Sequence, residues 1–296
     1  MGLDQTFSVE ARVRDSEITH SKYAALRVKD ALCDQFREKK KGRRPNVKVH
    51  GADLPIFVTV YRNRVTIYRD WSGETLHKRG YRDAMHKSSL NETVAAGMLA
   101  LAGYDSERAL VDPMCGAGTI AIEAALLATH RAPGLFRAEG TFPFERWPDF
   151  DAKAWNAVRD EARSKATPAS SLRIAANDVH PGALGLARRD AARAGVAEAI
   201  RFSKSDIADY APPFRPDVVV VNPPWGERLD PANLEASWKG LRVFLKEHCA
   251  PGDAWVLSGN ADATKSMGLR ASQKIPLRIG KVDARILRYE ILPPRK

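Results

Sequence analysis

From Asn91 onward the chain alternates short apolar runs with segments of helical periodicity, and this order constrains the fold more than any other feature. Strand-like runs at 109–112, 173–178, 201–204, 217–222 and 254–258 alternate with helical stretches at 92–101, 119–129, 181–194 and 234–248. Strands joined through helices lie side by side as a mainly parallel sheet with helices on its faces. The expected class is α/β, a doubly wound, Rossmann-like sheet.

The first 80 residues follow a different pattern. Residues 6–12 alternate like a strand, and Ala25, Val28, Leu32 and Phe36 mark one helix face behind a Ser21 cap. Gly42 and Pro45 end that helix and leave the cationic loop Lys39-Lys-Lys-Gly-Arg-Arg44. Two β-rich runs, 56–61 and 65–70, flank Arg62-Asn63-Arg64 as a hairpin. The expected division is a small α+β unit at 1–80, followed by a domain at 81–296. Within the latter, 131–150 is rich in proline and aromatic residues and reads as an ordered insertion near a site mouth.

Charge follows this division. The net charge is +11, from 47 basic and 36 acidic residues, and residues 1–90 carry 19 Lys or Arg against 11 Asp or Glu. An excess concentrated in one third of the chain attracts polyanions, among which nucleic acid is the commonest partner.

The chemistry-bearing residues cluster at predicted strand ends. In Leu110-Val-Asp-Pro-Met-Cys-Gly-Ala-Gly-Thr-Ile-Ala121, Gly116 and Gly118 permit a tight turn before a helix whose N-terminus offers free N–H groups. The G-x-G-x-x-A spacing alone also fits a dinucleotide loop. Asp112, four residues before Gly116, suits a cationic ligand better than a pyrophosphate, and S-adenosylmethionine carries both a sulfonium and an ammonium. The cofactor loop is therefore read as Asp112, Pro113, Cys115, Gly116, Gly118 and Thr119. Asp178 ends the next strand, where a carboxylate accepts from ribose hydroxyls. Asp206 follows the third strand, placed to accept from an adenine amino group.

Val221-Asn222-Pro223-Pro224-Trp225-Gly226 ends the fourth strand. Two prolines remove two donors and fix the chain, so the Asn222 side-chain oxygen and the Pro223 carbonyl both accept hydrogen bonds from an incoming amine. Such acceptors favour the pyramidal, nucleophilic form of an exocyclic amine. Trp225 offers a face on which an extruded base stacks. Asn222, Pro223, Pro224 and Trp225 are the expected catalytic residues, with Asn222 also bordering the cofactor. This chemistry admits guanine N2, adenine N6 and cytosine N4.

In their order and spacing these residues resemble the class I S-adenosylmethionine-dependent amino-methyltransferases. More narrowly, Leu76-His-Lys-Arg-Gly-Tyr-Arg82, Asp112–Thr119, Arg131-Ala-Pro-Gly134 and Asn222-Pro-Pro-Trp-Gly-Glu-Arg-Leu229 resemble the THUMP-containing RNA guanine-N2 methyltransferases, in particular the guanine-N2 half of the large-subunit ribosomal RNA enzyme. The resemblance implies S-adenosylmethionine as cofactor, guanine N2 as target, ribosomal RNA as partner and a partial THUMP-like unit at 1–80. It starts inside the THUMP domain, without the ferredoxin-like segment that precedes it in the family. Trp225 stands where the family usually carries tyrosine, which keeps stacking and loses a hydroxyl.

Other classes fit less well. Transfer RNA and adenine N6 are the alternative targets, although an adenine-N6 DNA enzyme would need a separate target-recognition region. A non-catalytic RNA-binding assembly factor with a decayed fold is disfavoured by the intact acids and acceptor turn. Carbon-5 methylation needs a cysteine nucleophile, yet Cys115 lies in the glycine loop and Cys249 follows a helix. No G-x-S-x-G elbow or metal-ligand spacing occurs. Cys33, Cys115 and Cys249 are isolated, as expected for a reducing, cytoplasmic setting. Residues 2–14 lack the order of a secretory signal, Gly2 to Thr6 matches only a permissive lipidation pattern, and no apolar run has membrane-spanning length. No membrane partner is expected, and no oligomeric state is assigned.

Overall fold

The computed structural model describes residues 1–82, 90–169, 172–226 and 230–293, so Glu227-Arg-Leu229 of the strand-end motif lies outside the described residues. In chain order, the elements of the N-terminal part are β1 (Thr6–Arg14), α1 (Ser21–Lys39), β2 (Asn46–Val47), β3 (Leu54–Tyr61) and β4 (Arg64–Arg69). Then come α2 (Glu92–Leu101), β5 (Leu110–Asp112), α3 (Thr119–Ala128), α4 (Ala152–Ser164), β6 (Ile174–Asp178), α5 (Pro181–Arg193) and β7 (Ile200–Lys204). The last are β8 (Val218–Val221), α6 (Pro231–His248), β9 (Gly252–Ser258), α7 (Ala261–Ser266), β10 (Gln273–Ile279) and β11 (Val282–Ile291). The chain forms two compact units, one of Met1–Leu76 with Arg137–Asp160 and one of His77–Phe136 with Glu161–Lys296.

In the first unit the sheet order is β2-β1-β3-β4. β1 runs parallel to β2 and β3, and β4 returns antiparallel to β3. Arg62 and Asn63 turn that hairpin with φ of 48° and 60°, the positive pair that matches strand twist in a two-residue loop. Phe7, Ala24, Cys33, Ile56, Val58 and Val60 form the core. The expected Ser21 cap is corrected. Ser21 is the first helical residue and its hydroxyl accepts from Val13 N–H at 3.2 Å, whereas His20 caps α1 by accepting from Tyr23 N–H at 3.3 Å. The buried stripe runs through Ala24 and Cys33, with Val28 and Leu32 only partly buried.

The proline-rich stretch is more regular than its sequence suggests, with 3₁₀ turns at Pro133–Phe136 and Pro143–Arg146 before α4. Most of it belongs to the first unit, which thereby takes in residues that chain order alone assigns to 81–296. Trp147 Nε1 donates to the Asp53 carbonyl at 2.7 Å, and the Arg146 guanidinium pairs with the Asp53 carboxylate at 3.2 Å. Phe142, Phe144, Phe150 and Trp155 pack against one another beside them.

In the second unit seven strands are ordered β10-β11-β9-β8-β5-β6-β7. Pairings among β5 to β9 are parallel, as the alternation predicts, while β11 runs antiparallel to β9 and β10. The β10–β11 hairpin turns at Gly280 and extends the sheet beyond Ser258, where no further element is legible from helix and strand alternation. Val218, Val219, Val220 and Val221 are all buried, as a central parallel strand covered on both faces requires. From β5 the chain moves through β6 and β7 on one side, then crosses to β8 on the other. The carboxyl ends of β5 and β8 thus flank the topological switch point, where open α/β sheets bind ligands.

Truncating the fully buried Phe7 to alanine should destabilise the first unit by about 3 to 5 kcal/mol. Denaturant unfolding monitored by proteolytic accessibility of β1 to β4 measures this, and an unchanged midpoint would show that the core lies elsewhere.

Candidate active site

Strand register brings the predicted acids and the acceptor turn to one edge. Asp112 pairs with Ala176, so Asp178 lies two residues beyond it on β6. Asp178 in turn pairs with Lys204, so Asp206 lies two residues beyond β7. On the other side Val111 pairs with Val219, which places Asn222 just past the same edge. The helices α3, α5 and α6, which follow β5, β6 and β8, begin beyond these strand ends, so their free N–H groups lie toward the same end of the sheet.

The glycine loop is held by its neighbours. Gly116 and Gly118 adopt φ of 54° and 74°, a region that L side chains rarely enter. A Cβ at Gly118 would lie 2.8 Å from Ala187 Cβ, so this glycine lets the loop close on α5, whereas the space above Gly116 is open. Gly116 N–H donates to the Asp178 carboxylate at 2.8 Å, and the other Asp178 oxygen accepts from His180 N–H at 2.9 Å. Asp178 therefore orients the loop as well as standing at the strand end. Thr119, the first residue of α3, is buried and accepts a hydrogen bond from Arg82. The Arg82 guanidinium also pairs with Glu92 at 3.1 Å. Asp206 is exposed and accepts from Ala208 N–H at 2.9 Å, leaving its outer edge toward solvent.

Asp112 is 1% exposed, and among the described residues Met114 N–H donates to it, at a long 3.4 Å. Loss of water around it, reinforced by the nearby Asp178 charge, raises its pKa well above the usual carboxylate range. A cation bound beside it would favour its ionised form. Burial, with the Asp112 and Asp178 carboxylates adding to it, holds the Cys115 thiol well above its ordinary pKa, and burial pushes Cys249 up to about 12. Neither thiol is an activated nucleophile.

At the acceptor turn the Asn222 side-chain oxygen is buried and has no hydrogen-bond partner among the described residues. Pro223 is buried as well. The Pro224 carbonyl accepts from Trp238 Nε1 at 2.9 Å, and the Trp225 carbonyl from Asn260 Nδ2 at 2.9 Å. Trp225 is partly buried. Its indole N–H donates to the Leu257 carbonyl at 3.3 Å, and its ring lies over Gly259, where a Cβ would come within 2.5 Å of Cε3. The expected stacking surface is thus a ring already fixed by β9.

Sequence reasoning passes over several of these supports. Asn177, one residue before the assigned Asp178, is 1% exposed and donates to the Pro113 and Ser205 carbonyls at 3.1 and 3.0 Å. A polar residue inside an otherwise alanine-rich buried strand is the signal that could have found it. Gly259 and Asn260 follow the fifth parallel strand, at the position equivalent to the other site residues. Trp238 carries no local signal, being one apolar residue on an amphipathic helix. Among the described residues, no group of three or more His, Cys, Asp or Glu is arranged for a metal, and no helix is long and apolar enough to cross a membrane.

Residues 79–288 match the family described as RMKL-like, methyltransferase domain, and residues 1–70 match the THUMP domain. The chain is 34% identical to the ribosomal RNA large subunit methyltransferase K/L of Psychromonas ingrahamii, over 99% of this chain and 39% of that protein. It spans about two-fifths of the length of the K/L relatives it matches. Among solved structures, a possible methylase from Clostridium difficile 630 shares 29% identity at a TM-score of 0.84, covering 99% of this chain and 77% of that one. SMU.472, complexed with SAH, shares the fold at a TM-score of 0.84 and 24% identity, over 100% of this chain and 77% of that one.

The raised Asp112 pKa gives a signed expectation. Because folding raises this pKa, the ionised carboxylate opposes folding at neutral pH, and the penalty fades as pH falls toward the ordinary carboxylate range. Asp112→Asn should therefore raise the Tm of the ligand-free protein at neutral pH, with the difference narrowing on acidification, while weakening affinity for S-adenosylmethionine. Melting curves across pH and calorimetry with the cofactor read both effects, and a lower Tm at neutral pH would contradict the assignment.

Proposed function

The chain belongs to the RMKL-like methyltransferase family and carries a THUMP domain, and from that premise we propose that it methylates the exocyclic N2 amine of a guanine in RNA, with large-subunit ribosomal RNA as the substrate. The observation that carries the reading is the Asn222 oxygen at the end of β8, buried and without a hydrogen-bond partner among the described residues. An acceptor removed from water and left unpaired is costly unless a donor arrives.

S-adenosylmethionine is the cofactor, and when bound it supplies an electrophilic methyl group on a sulfonium. The residues present fit it. Asp112 is a buried carboxyl whose ionised form a bound cation would favour, the space over Gly116 is open, and Asp178 and Asp206 stand at the edges of β6 and β7 with acceptor capacity to spare. Asn222 and the Pro223 carbonyl accept from the two amine hydrogens, which holds the nitrogen lone pair out of conjugation with the ring. Trp225 supports the base, and the proton released on methylation leaves to solvent. The named K/L relative and the THUMP domain support RNA, and ribosomal RNA in particular. Among the exocyclic amines, guanine N2 is favoured by the resemblance of the motifs to the RNA guanine-N2 methyltransferases. The target nucleotide must leave its helix to reach the turn, so it belongs to a loop or to a stem that opens readily.

Asn222→Ala should lower methyl transfer by about a hundredfold or more while leaving cofactor affinity within a small factor, the pattern of a contact made in the transition state. Equal losses in both would make Asn222 a structural residue. Product identity is tested by incubating unmodified ribosomal and transfer RNA separately with labelled cofactor and digesting to nucleosides for mass spectrometry. N2-methylguanosine from large-subunit RNA is expected; methyladenosine, or label confined to transfer RNA, would refute the reading.

RNA affinity is ascribed to the exposed loop of the first unit. Neutralising Lys39, Lys40, Lys41, Arg43 and Arg44 together should weaken binding to all RNA sequences alike and flatten its salt dependence. A salt slope equal to the parent's would move the phosphate contacts to another surface.

A further inference from the structure

The acceptor turn has a structural difficulty that its sequence conceals. Pro223 and Pro224 have no N–H groups, so neither can donate a backbone hydrogen bond that would fix the turn from within. Two of those carbonyls are instead satisfied from outside. Trp238, fully buried on α6, donates to the Pro224 carbonyl at 2.9 Å. Asn260, directly after β9, donates to the Trp225 carbonyl at 2.9 Å.

Asn260 is fixed on both sides. Its Oδ1 accepts from Asp262 N–H and Ala263 N–H, each at 3.0 Å, and so caps α7, which leaves Nδ2 aimed at the turn. Its backbone N–H donates to Ser258 Oγ at 3.2 Å, and its carbonyl accepts from the hydroxyls of Ser258 and Thr264. An amide held at both ends cannot rotate to offer its oxygen to the turn. Trp238 is equally constrained, because its ring is enclosed in the core formed by α6, β8 and β9.

From this geometry we infer that Asn260 and Trp238 are positioning residues for amine methylation: by occupying the Pro224 and Trp225 carbonyls they leave the Asn222 oxygen and the Pro223 carbonyl as the acceptors presented to the target. The inference rests on the reading of Asn222 given above. With the two downstream peptide planes fixed and both proline φ angles set by their rings, the Pro223 carbonyl has little freedom to turn away. Released from their donors, the Pro224 and Trp225 carbonyls would compete for the amine, and the pair formed by Asn222 and Pro223 would lose its alignment. Neither residue needs to touch the substrate for this effect.

Asn260→Asp and Trp238→Phe isolate the two contacts. Aspartate keeps an oxygen to cap α7 but has no donor for the Trp225 carbonyl, and phenylalanine keeps a buried ring without the indole N–H. Each variant should lower kcat for methyl transfer about tenfold, the usual scale of one lost hydrogen bond. KM and Kd for S-adenosylmethionine should stay within about twofold of the parent. Because both act through one turn, the double variant should lose less than the product of the single losses. Asn260→Gln and Asn260→Ala complete the series; alanine lacks both cap and donor and should also lower Tm. Asn222→Ala is measured alongside. If it abolishes transfer while Asn260→Asp and Trp238→Phe retain parental kcat, the positioning role is refuted and the role of Asn222 stands. If Asn222→Ala itself transfers methyl groups at the parental rate, the underlying reading fails first. A fall in kcat matched by equal losses of cofactor affinity or Tm in Asn260→Asp and Trp238→Phe would make the two residues general fold supports and overturn the inference.

Discussion

The site depends on the side-chain amide of Asn177. Its Nδ2 donates both to the Pro113 carbonyl, at the start of the glycine loop, and to the Ser205 carbonyl, just before Asp206. Its Oδ1 accepts from the Ser203 hydroxyl at 3.2 Å, and its backbone carbonyl accepts from Cys115 N–H at 2.7 Å. One fully buried residue thus joins the ends of β5, β6 and β7. Each bond satisfies a polar group that is buried or half-buried, so losing one member of the network leaves its partner unpaired. The adjacent Asp178 then completes the loop by accepting from Gly116 N–H.

That closure sets the electrostatics. Drawing the loop tight over β5 seals Asp112 from solvent and places it near Asp178, and these two effects raise its pKa. A carboxylate on the surface would be screened and indifferent to a cation of one charge; a sealed one gains much more from it. The same enclosure keeps Cys115 in its thiol form, which disfavours it as a nucleophile.

Much of this was legible in the chain. The parallel strands, their order of appearance, the glycine loop and the Asn-Pro-Pro-Trp turn follow from local patterns, because a buried strand, a positive-φ glycine and a proline pair each leave a residue-level signature. What escaped was set by tertiary contact. His20 rather than Ser21 caps α1 because the Ser21 hydroxyl is drawn to the backbone of β1. The β10–β11 hairpin lacks the helix and strand alternation by which the other strands were read, since its strands pair antiparallel at the sheet edge. Asn177 and Asn260 bond across 28 and 35 positions of sequence, a separation that no window of local periodicity spans, and the bond of Trp238 to Pro224 links a helix to a turn outside it.

Gly259 shows how far the turn and its surroundings constrain one another. A tryptophan at position 225 is wider than a tyrosine, and its six-membered ring occupies the volume that a Cβ at 259 would need. The indole N–H meanwhile finds the Leu257 carbonyl, which satisfies a polar atom that tyrosine would not present in that place. Trp225 and Gly259 therefore form a matched pair, one residue supplying the ring and the other the space for it. In the proposed reaction, the ring that supports the base is held against the sheet before the base arrives, so ordering it adds little to the entropic cost of binding. The same reasoning explains why the turn uses two prolines with external donors instead of a flexible loop. An acceptor pair for a weakly nucleophilic amine acts on the transition state only to the extent that its geometry is already set.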